Sequence, residues 1–376
     1  MAKVTLVISI NASWNIINFR TGLLGALRDA GYRVVALAPR DEHSARFAAL
    51  GVEYVPIEIE REGRSPLRDM NLLWRYYRAL RRLKPDLLLA YTIKPNIYGS
   101  LAARALRIPV INNVSGLGTA FIAQGPLTRI VRRLYKAALG RSATIFFQNR
   151  DDRDLFVADG LVEARQARLL PGSGIDLDRF RPAAYLPAYA GACTFLMIAR
   201  LVWDKGVGEY IEAARRVRAQ CPEARFQILG FMDMSKRTAV TPPEVEGWVA
   251  EGLIEYLGQT EDVRNFIAAA DCVVLPSYRE GLPRTLLEAA AMAKPVITTD
   301  VPGCRDVVDE GVTGFLCAVR DAASLAAAMM KMARLSPKER RVLGTAGRAK
   351  VEAQFDEKIV IERYFAAIDH ALASRG

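Results

Sequence analysis

Histidine is nearly absent, with only His43 and His370 in 376 residues. A His-based metal site or a Ser-His-Asp relay is hard to assemble from two. His43 lies in a polar stretch and His370 near the end of the chain, so both are expected at the surface. The five cysteines, Cys193, Cys221, Cys272, Cys304 and Cys317, are odd in number and include no C-x-x-C pair. That excludes a zinc ribbon and a complete disulfide framework, and points to buried free thiols in a reducing compartment. No apolar run approaches the roughly 18–20 residues that span a bilayer. The opening MAKVTLVISI runs straight into a strand pattern and has no small-residue cleavage site, so a cytoplasmic chain is expected. No G-x-G-x-x-G follows the first strand candidate, which argues against a nicotinamide dehydrogenase. Internal repeats and low-complexity tracts are also missing.

Hydrophobic residues make up 51% and charged residues 25% of the chain, a globular balance. Its length suits two domains of about 150–200 residues. Short apolar runs alternate with longer amphipathic ones. The strand candidates are 3–10, 33–38, 52–57, 86–90, 110–113, 144–148 and 167–170, and then 194–198, 225–229, 254–257, 272–275 and 296–299. Strand–helix alternation argues for parallel sheets covered on both faces. The expected class is α/β, with two Rossmann-like domains facing across a cleft. Residues 181–191, RPAAYLPAYAG, read as the linker. The domains are therefore placed at 1–182 and 183–356, with the helical tail 357–376 packing back on the first.

The charge is uneven. Up to Pro182 the chain has 28 Lys and Arg against 16 Asp and Glu, and residues 61–141 alone have 16 against 3. An anionic partner surface is implied, membrane or nucleic acid. Two basic amphipathic stretches sit in that window, 70–83 and 126–140. Such helices bind anionic bilayers edgewise, and no zinc-ligand or aromatic RNA-binding signature accompanies them.

Residues 272–276 read as a buried strand, 277–283 as a loop and 284–293 as a helix. Ligands bind beyond the carboxyl ends of parallel strands, and a helix start there offers N–H groups and a positive dipole end to phosphate. Pro283 suits the first helical turn, and Gly281, beside Leu282, lets the backbone approach a ligand. The amides of Arg284, Thr285 and Leu286 can then meet a diphosphate. Glu288 shares their face and can accept hydrogen bonds from a ribose diol. Glu280, on the loop, can meet a sugar ring. A second strand end, A-R-L-V-W-D-K-G, aims Arg200 and Lys205 at the same place. Cations there stabilise a leaving phosphate, one such group typically supplying roughly 3–4 kcal/mol. Backbone around residues 256–259, including Gly258, is expected to meet the base.

In combination, ARLVWDKG, EYLGQTEDV, EGLPRTLLEA and EGVTGFLC resemble the retaining glycosyltransferases of the GT-B fold, family 4. The resemblance covers essentially the whole chain. It implies that Arg200 and Lys205 contact the donor diphosphate, Glu280 the donor sugar and Glu288 the ribose, with no metal cofactor. The D-x-D pairs Asp152/Asp154 and Asp176/Asp178 read as helix-start and turn residues instead.

On the acceptor side, Asn18-Phe-Arg20, Thr92-Ile-Lys94-Pro-Asn96-Ile-Tyr98-Gly99 and Asn112-Asn-Val-Ser115-Gly116-Leu-Gly118-Thr119 resemble the subgroup that extends polyprenyl-diphosphate-linked glycans in bacteria, N-acetylgalactosaminyltransferases among them. Asn15, Arg20, Lys94, Ser115 and Gly116 are the expected acceptor-side residues. The chain departs from the family by lacking a Gly-Gly loop after the first strand, where Asn11-Ala-Ser-Trp14-Asn15 stands, and a histidine near Ser115. The resemblance implies α-retaining transfer of a hexose or N-acetylhexosamine from a UDP-sugar to a polyprenyl-diphosphate-linked sugar. The enzyme would sit peripherally on the inner face of the cytoplasmic membrane and bind no nucleic acid. The alternatives are a nucleotide-sugar epimerase on a similar scaffold, or a basic nucleic-acid-binding protein.

Overall fold

All twelve strand candidates form, and they lie in two fully parallel sheets. The computed structural model describes residues 3–60, 66–117, 126–183 and 193–374. Its chain divides into two units, Met1–Gly174 with Glu357–Gly376, and Ile175–Asp356.

The first unit has β1 (Thr5–Ser9), β2 (Arg33–Ala38), β3 (Glu53–Pro56), β4 (Leu87–Tyr91), β5 (Val110–Val114), β6 (Thr144–Phe147) and β7 (Ala167–Leu169), ordered β3-β2-β1-β4-β5-β6-β7. Every residue of β1 and β4 is buried, as expected where helices cover both faces. Successive side chains point to opposite faces. Leu6 and Ile8 enter one core cluster and Val7 the other. The terminal helix Glu357–Ala373 contributes Val360, Tyr364, Ile368 and Ala371 to the first of these cores, beside Leu23 and Leu27.

The second unit repeats the plan with β8 (Thr194–Ile198), β9 (Arg225–Leu229), β10 (Glu255–Tyr256), β11 (Cys272–Leu275), β12 (Val296–Thr299) and β13 (Gly314–Cys317), ordered β10-β9-β8-β11-β12-β13. β13 is absent from the sequence expectation because it is short and begins with glycine, a residue depleted in strands. That glycine is required by close approach, since a Cβ on Gly314 would lie 1.9 Å from the Val296 carbonyl oxygen. In both sheets the order reverses beside the first strand, at β1/β4 and at β8/β11. Loops leaving such a pair run to opposite faces and open a crevice at the carboxyl ends.

Two expectations need correction. The units part at Gly174 and Ile175, ahead of residues 182 and 183, because the intervening turn is fastened to the second unit. Ile175 donates to the Phe355 carbonyl at 2.9 Å, and the buried Phe180 joins that unit's core. Residues 184–191 of the expected linker lie outside the described residues. His43 is buried, not at the surface, beneath a turn closed by its own N–H donating to Asp41 Oδ1 at 3.0 Å. Gly344 is a packing residue inside the helix Pro337–Gln354, where a Cβ would lie 2.0 Å from the Ala293 carbonyl.

The aspartate pairs serve local structure. Asn149 and Asp152 cap the helix Arg150–Ala158, Asn149 Oδ1 accepting from the Asp152 N–H at 2.8 Å. Asp176 Oδ1 accepts from the N–H groups of Asp178 and Arg179. Four of the five cysteines are buried and Cys221 is half-buried; all are free.

A polar network runs through the interior of the first unit. Asn112, on β5, donates to Asn96 Oδ1 at 3.0 Å and to Ser100 Oγ at 2.9 Å, and accepts from Ser142 Oγ at 2.6 Å. Asn96 in turn donates to the Asn113 carbonyl, and Asn113 donates to the Tyr364 hydroxyl at 3.0 Å. The polar residues of two acceptor-side motifs thus stitch β5 to the helices on both faces. Buried polar groups that lose one partner cost about 1–3 kcal/mol each. Asn112→Ala should therefore lower the unfolding free energy by about 3 kcal/mol, read as the denaturant midpoint. An unchanged midpoint would contradict this structural role.

Candidate active site

β8 and β11 are hydrogen-bonded neighbours, so the loops leaving their carboxyl ends meet. The β8 loop carries Arg200 and a single 3-10 turn, Trp203–Lys205, closed by Gly206 with φ 76°. A Cβ on Gly206 would lie 2.0 Å from the Pro276 carbonyl oxygen, so only glycine lets the loops close. They are then tied together. The Tyr278 N–H donates to the Asp204 carbonyl at 3.0 Å, Ser277 Oγ to the same oxygen at 3.3 Å, and Lys205 Nζ to Glu280 Oε1. Tyr278 braces this junction. Its hydroxyl donates to both carboxylate oxygens of Glu209, at 2.8 and 3.0 Å, and Arg320 lies 4.6 Å over its ring. Burial first, and then the Glu209 carboxylate, push the hydroxyl up to about 12, so it stays a neutral donor.

The β11 loop leads into the helix Arg284–Ala291. Pro283 stands one position earlier than expected, as the N-cap, and its carbonyl accepts from the Leu286 N–H at 3.2 Å. Leu286 thus spends its amide on the first turn and its buried side chain on the core. Thr285 is half-buried on the opening turn. Arg284 Nε is 2.8 Å from Glu288 Oε1, and both side chains are largely buried. Burial raises the Glu288 carboxyl above its ordinary range, and Arg284 partly offsets this. Gly281 is fixed from the next loop, where a Cβ on Gly303 would lie 2.5 Å from the Gly281 carbonyl oxygen. Leu282 packs against the core beneath.

Arg200 is half exposed, its NH1 3.4 Å from Asp233 Oδ2. Gly258, with φ 71°, accepts from the Gly230 N–H at 2.7 Å, and Gly230 itself abuts the Ala199 carbonyl. The ends of β8, β9 and β10 therefore converge. Sequence reasoning missed Asp233, Tyr278, Glu209 and Gly230. Gly230 carried a readable signal, a glycine directly after the apolar run RFQIL. The other three carried none.

In the first unit the candidate residues also stand at strand carboxyl ends. Asn15 lies in the helix Ser13–Phe19 after β1, and Arg20 directly follows it. Lys94 follows β4, and Ser115 and Gly116 follow β5. Thr92 has φ 62°, and a π-helix, Pro95–Gly99, comes next. Positive φ at a non-glycine residue and a π-turn both cluster at functional sites. Lys94 Nζ is 3.2 Å from Asp69 Oδ1. Arg20 is only 7% exposed. Its guanidinium lies 4.2 Å over the Tyr91 ring and donates to Asn15 Oδ1 at 2.8 Å. Ser115 and Gly116 are half-buried, and Gly116 has φ 131°. Residues 118 and 119 of their motif lie outside the described residues.

Comparison with known proteins agrees with this architecture. Residues 18–172 match the glycosyl transferase 4-like domain family, and residues 192–334 match glycosyl transferases group 1. The chain is 28% identical to the N,N'-diacetylbacillosaminyl-diphospho-undecaprenol alpha-1,3-N-acetylgalactosaminyltransferase of Campylobacter jejuni, covering 96% of this chain and 97% of that protein. It is 27% identical to an Escherichia coli UDP-Gal:alpha-D-GlcNAc-diphosphoundecaprenol alpha-1,3-galactosyltransferase, over 71% of each. Among solved structures, Anabaena HepE in complex with UDP and glucose superposes with a TM-score of 0.79 at 16% identity, covering 97% of this chain and 99% of that one. The sucrose-phosphate synthase of Thermosynechococcus elongatus gives 0.80 at 20% identity, covering 99% and 100%. With two Rossmann-like parallel-sheet units, each matched by its own glycosyl transferase family, the chain belongs to the GT-B glycosyltransferases of family 4.

Proposed function

We propose that this glycosyltransferase moves a hexose or N-acetylhexosamine, of the N-acetylgalactosamine type, from a UDP-sugar to a sugar on a polyprenyl diphosphate, with α-retention, in bacterial surface- or protein-glycan assembly. The observation that carries the donor half is the junction of the β8 and β11 loops. There Lys205 and Glu280 are in contact at the carboxyl ends of the two switch-point strands, beside the start of the helix Arg284–Ala291. A diphosphate placed there would meet Lys205, Arg200 and the helix start, the ribose would meet Glu288, and the sugar Glu280. A buried carboxylate with a raised pKa is a recurrent mark of such sites. The acceptor half is supported by the Campylobacter and E. coli relatives, whose names both specify undecaprenyl-diphosphate sugars.

In the transfer, the bond between the anomeric carbon and the diphosphate oxygen breaks, with its electron pair going to that oxygen. The acceptor hydroxyl forms the new glycosidic bond on the same face and gives its proton to the leaving phosphate. No protein nucleophile is needed. The chain's part is to stabilise the growing phosphate charge through Lys205 and Arg200.

Contact with the inner face of the cytoplasmic membrane is supported by the helix Pro66–Leu83. No helix among the described residues is long and apolar enough to cross a membrane. This one buries Leu72, Tyr76 and Leu80 and presents Leu67, Met70 and Trp74 on another face, 84%, 65% and 54% exposed. Arg78, Arg81 and Arg82 are exposed around its last turns. The helix Pro126–Leu139 adds an exposed Ile130 with Arg129 and Arg133. Apolar side chains flanked by cations suit an anionic bilayer, where each cation contributes about 1 kcal/mol.

Lys205→Ala should lower acceptor-dependent UDP release about 10²–10³-fold, and the product formed by the wild type should carry the α-anomer by NMR. Turnover unchanged in the variant, or a β-linked product, would overturn the mechanism. On the acceptor side, Leu67→Ser combined with Trp74→Ser should weaken sedimentation with phosphatidylglycerol vesicles by about tenfold or more. Undiminished sedimentation would remove this helix from the membrane contact.

A further inference from the structure

Three cations of the donor site are each matched by a carboxylate, namely Arg200 by Asp233, Lys205 by Glu280 and Arg284 by Glu288. The pairs are not equivalent. Arg200 is 48% exposed, so water screens its pair and a ligand separates it at little cost. Arg284 and Glu288 lie one turn apart on a single helix. Lys205 and Glu280 alone of the three both join two different loops and have both side chains largely buried, 19% and 14% exposed. A diphosphate arriving at the junction needs the Lys205 charge. Glu280 already holds it, and a largely buried carboxylate that loses its cation is costly unless other donors replace it. The Cys304 thiol near this pair cannot take over as the anion, because burial holds it protonated, pushed up to about 12.

We infer that Glu280 competes with the diphosphate for Lys205, and that this competition makes the site prefer the loaded donor to spent UDP. The inference rests on the donor-site reading above and adds to it. When a UDP-sugar binds, Lys205 turns to the diphosphate and the sugar hydroxyls donate to the freed carboxylate. When UDP binds alone, nothing on the ligand replaces Lys205. Specificity is a difference of affinities, and Glu280 supplies the unfavourable half for UDP. After transfer the hydroxyls depart with the acceptor, Glu280 recaptures Lys205, and UDP is expelled. One carboxylate thereby contributes to donor recognition and to product release.

The test is calorimetric titration of the full chain with UDP and with four UDP-sugars, those of glucose, galactose, N-acetylglucosamine and N-acetylgalactosamine. It uses the wild type, Glu280→Gln, Lys205→Ala and the double variant. Glu280→Gln should bind UDP about tenfold more tightly than the wild type, and the preference for the best UDP-sugar over UDP should shrink by a similar factor. In the Lys205→Ala background the same substitution should leave UDP affinity unchanged, since the competition acts through that lysine. UDP affinity in Glu280→Gln equal to or below that of the wild type would overturn the inference. So would a wild type that binds UDP at least as tightly as every one of the four sugars, a result that needs no variant to fold. A wild type that binds neither UDP nor any of the four would overturn the donor-site reading itself, and this inference with it.

Discussion

The contact of Lys205 with Glu280 depends on a residue that has no side chain. Gly206 lets the β8 loop close to within van der Waals reach of the Pro276 carbonyl, a space that any Cβ would occupy. With the loops closed, Asp204 accepts from Tyr278 and Ser277, and Lys205 reaches Glu280. Gly230 against Ala199 and Gly303 against Gly281 repeat the device at the neighbouring loops. The site is therefore held by backbone approach, with the charged groups placed on a scaffold that glycine makes possible. Rigid placement of this kind is what electrostatic stabilisation of a leaving phosphate requires.

Charge in that scaffold is balanced before any ligand arrives. Asp233, Glu280 and Glu288 each sit against a cation, so the site does not present a bare positive surface. The helix Pro66–Leu83 of the first unit differs: Arg68 and Arg75 pair with Glu60 and Glu58, while Arg78, Arg81 and Arg82 stand exposed along a helix that also exposes Leu67, Met70 and Trp74. Under the proposed function, one unit exchanges the carboxylate partners of its donor-site cations for a small anion, and the other offers its cations to an extended one.

Much of this was legible in the sequence, for identifiable reasons. Buried parallel strands are continuous apolar runs, so TFLMI and LLLAY announced themselves, and the order of strand and helix then implied two doubly wound sheets. Lys205, Glu280 and Glu288 could be singled out because they follow strands at a helix start. What stayed hidden depends on contacts distant in sequence. Asp233 meets Arg200 33 positions away, and Tyr278 meets Glu209 69 positions away. The acceptor-side motifs also carry structure that the sequence pattern did not show. Asn96 and Asn112, within those motifs, are spent on a buried network. Arg20, an exposed cation by residue type, is buried over Tyr91. β13 escaped because Gly314 is there for close approach, where a strand pattern looks for β-branched residues.

Release of UDP from a panel of UDP-sugars, with and without polyprenyl-diphosphate sugars, tests most directly the claim that the β8–β11 junction serves acceptor-dependent transfer. A glycosyltransferase built this way releases UDP from one donor far faster when the lipid-linked acceptor is present, and elongates that acceptor by one sugar. Conversion of the nucleotide sugar at the same rate without any acceptor would contradict it.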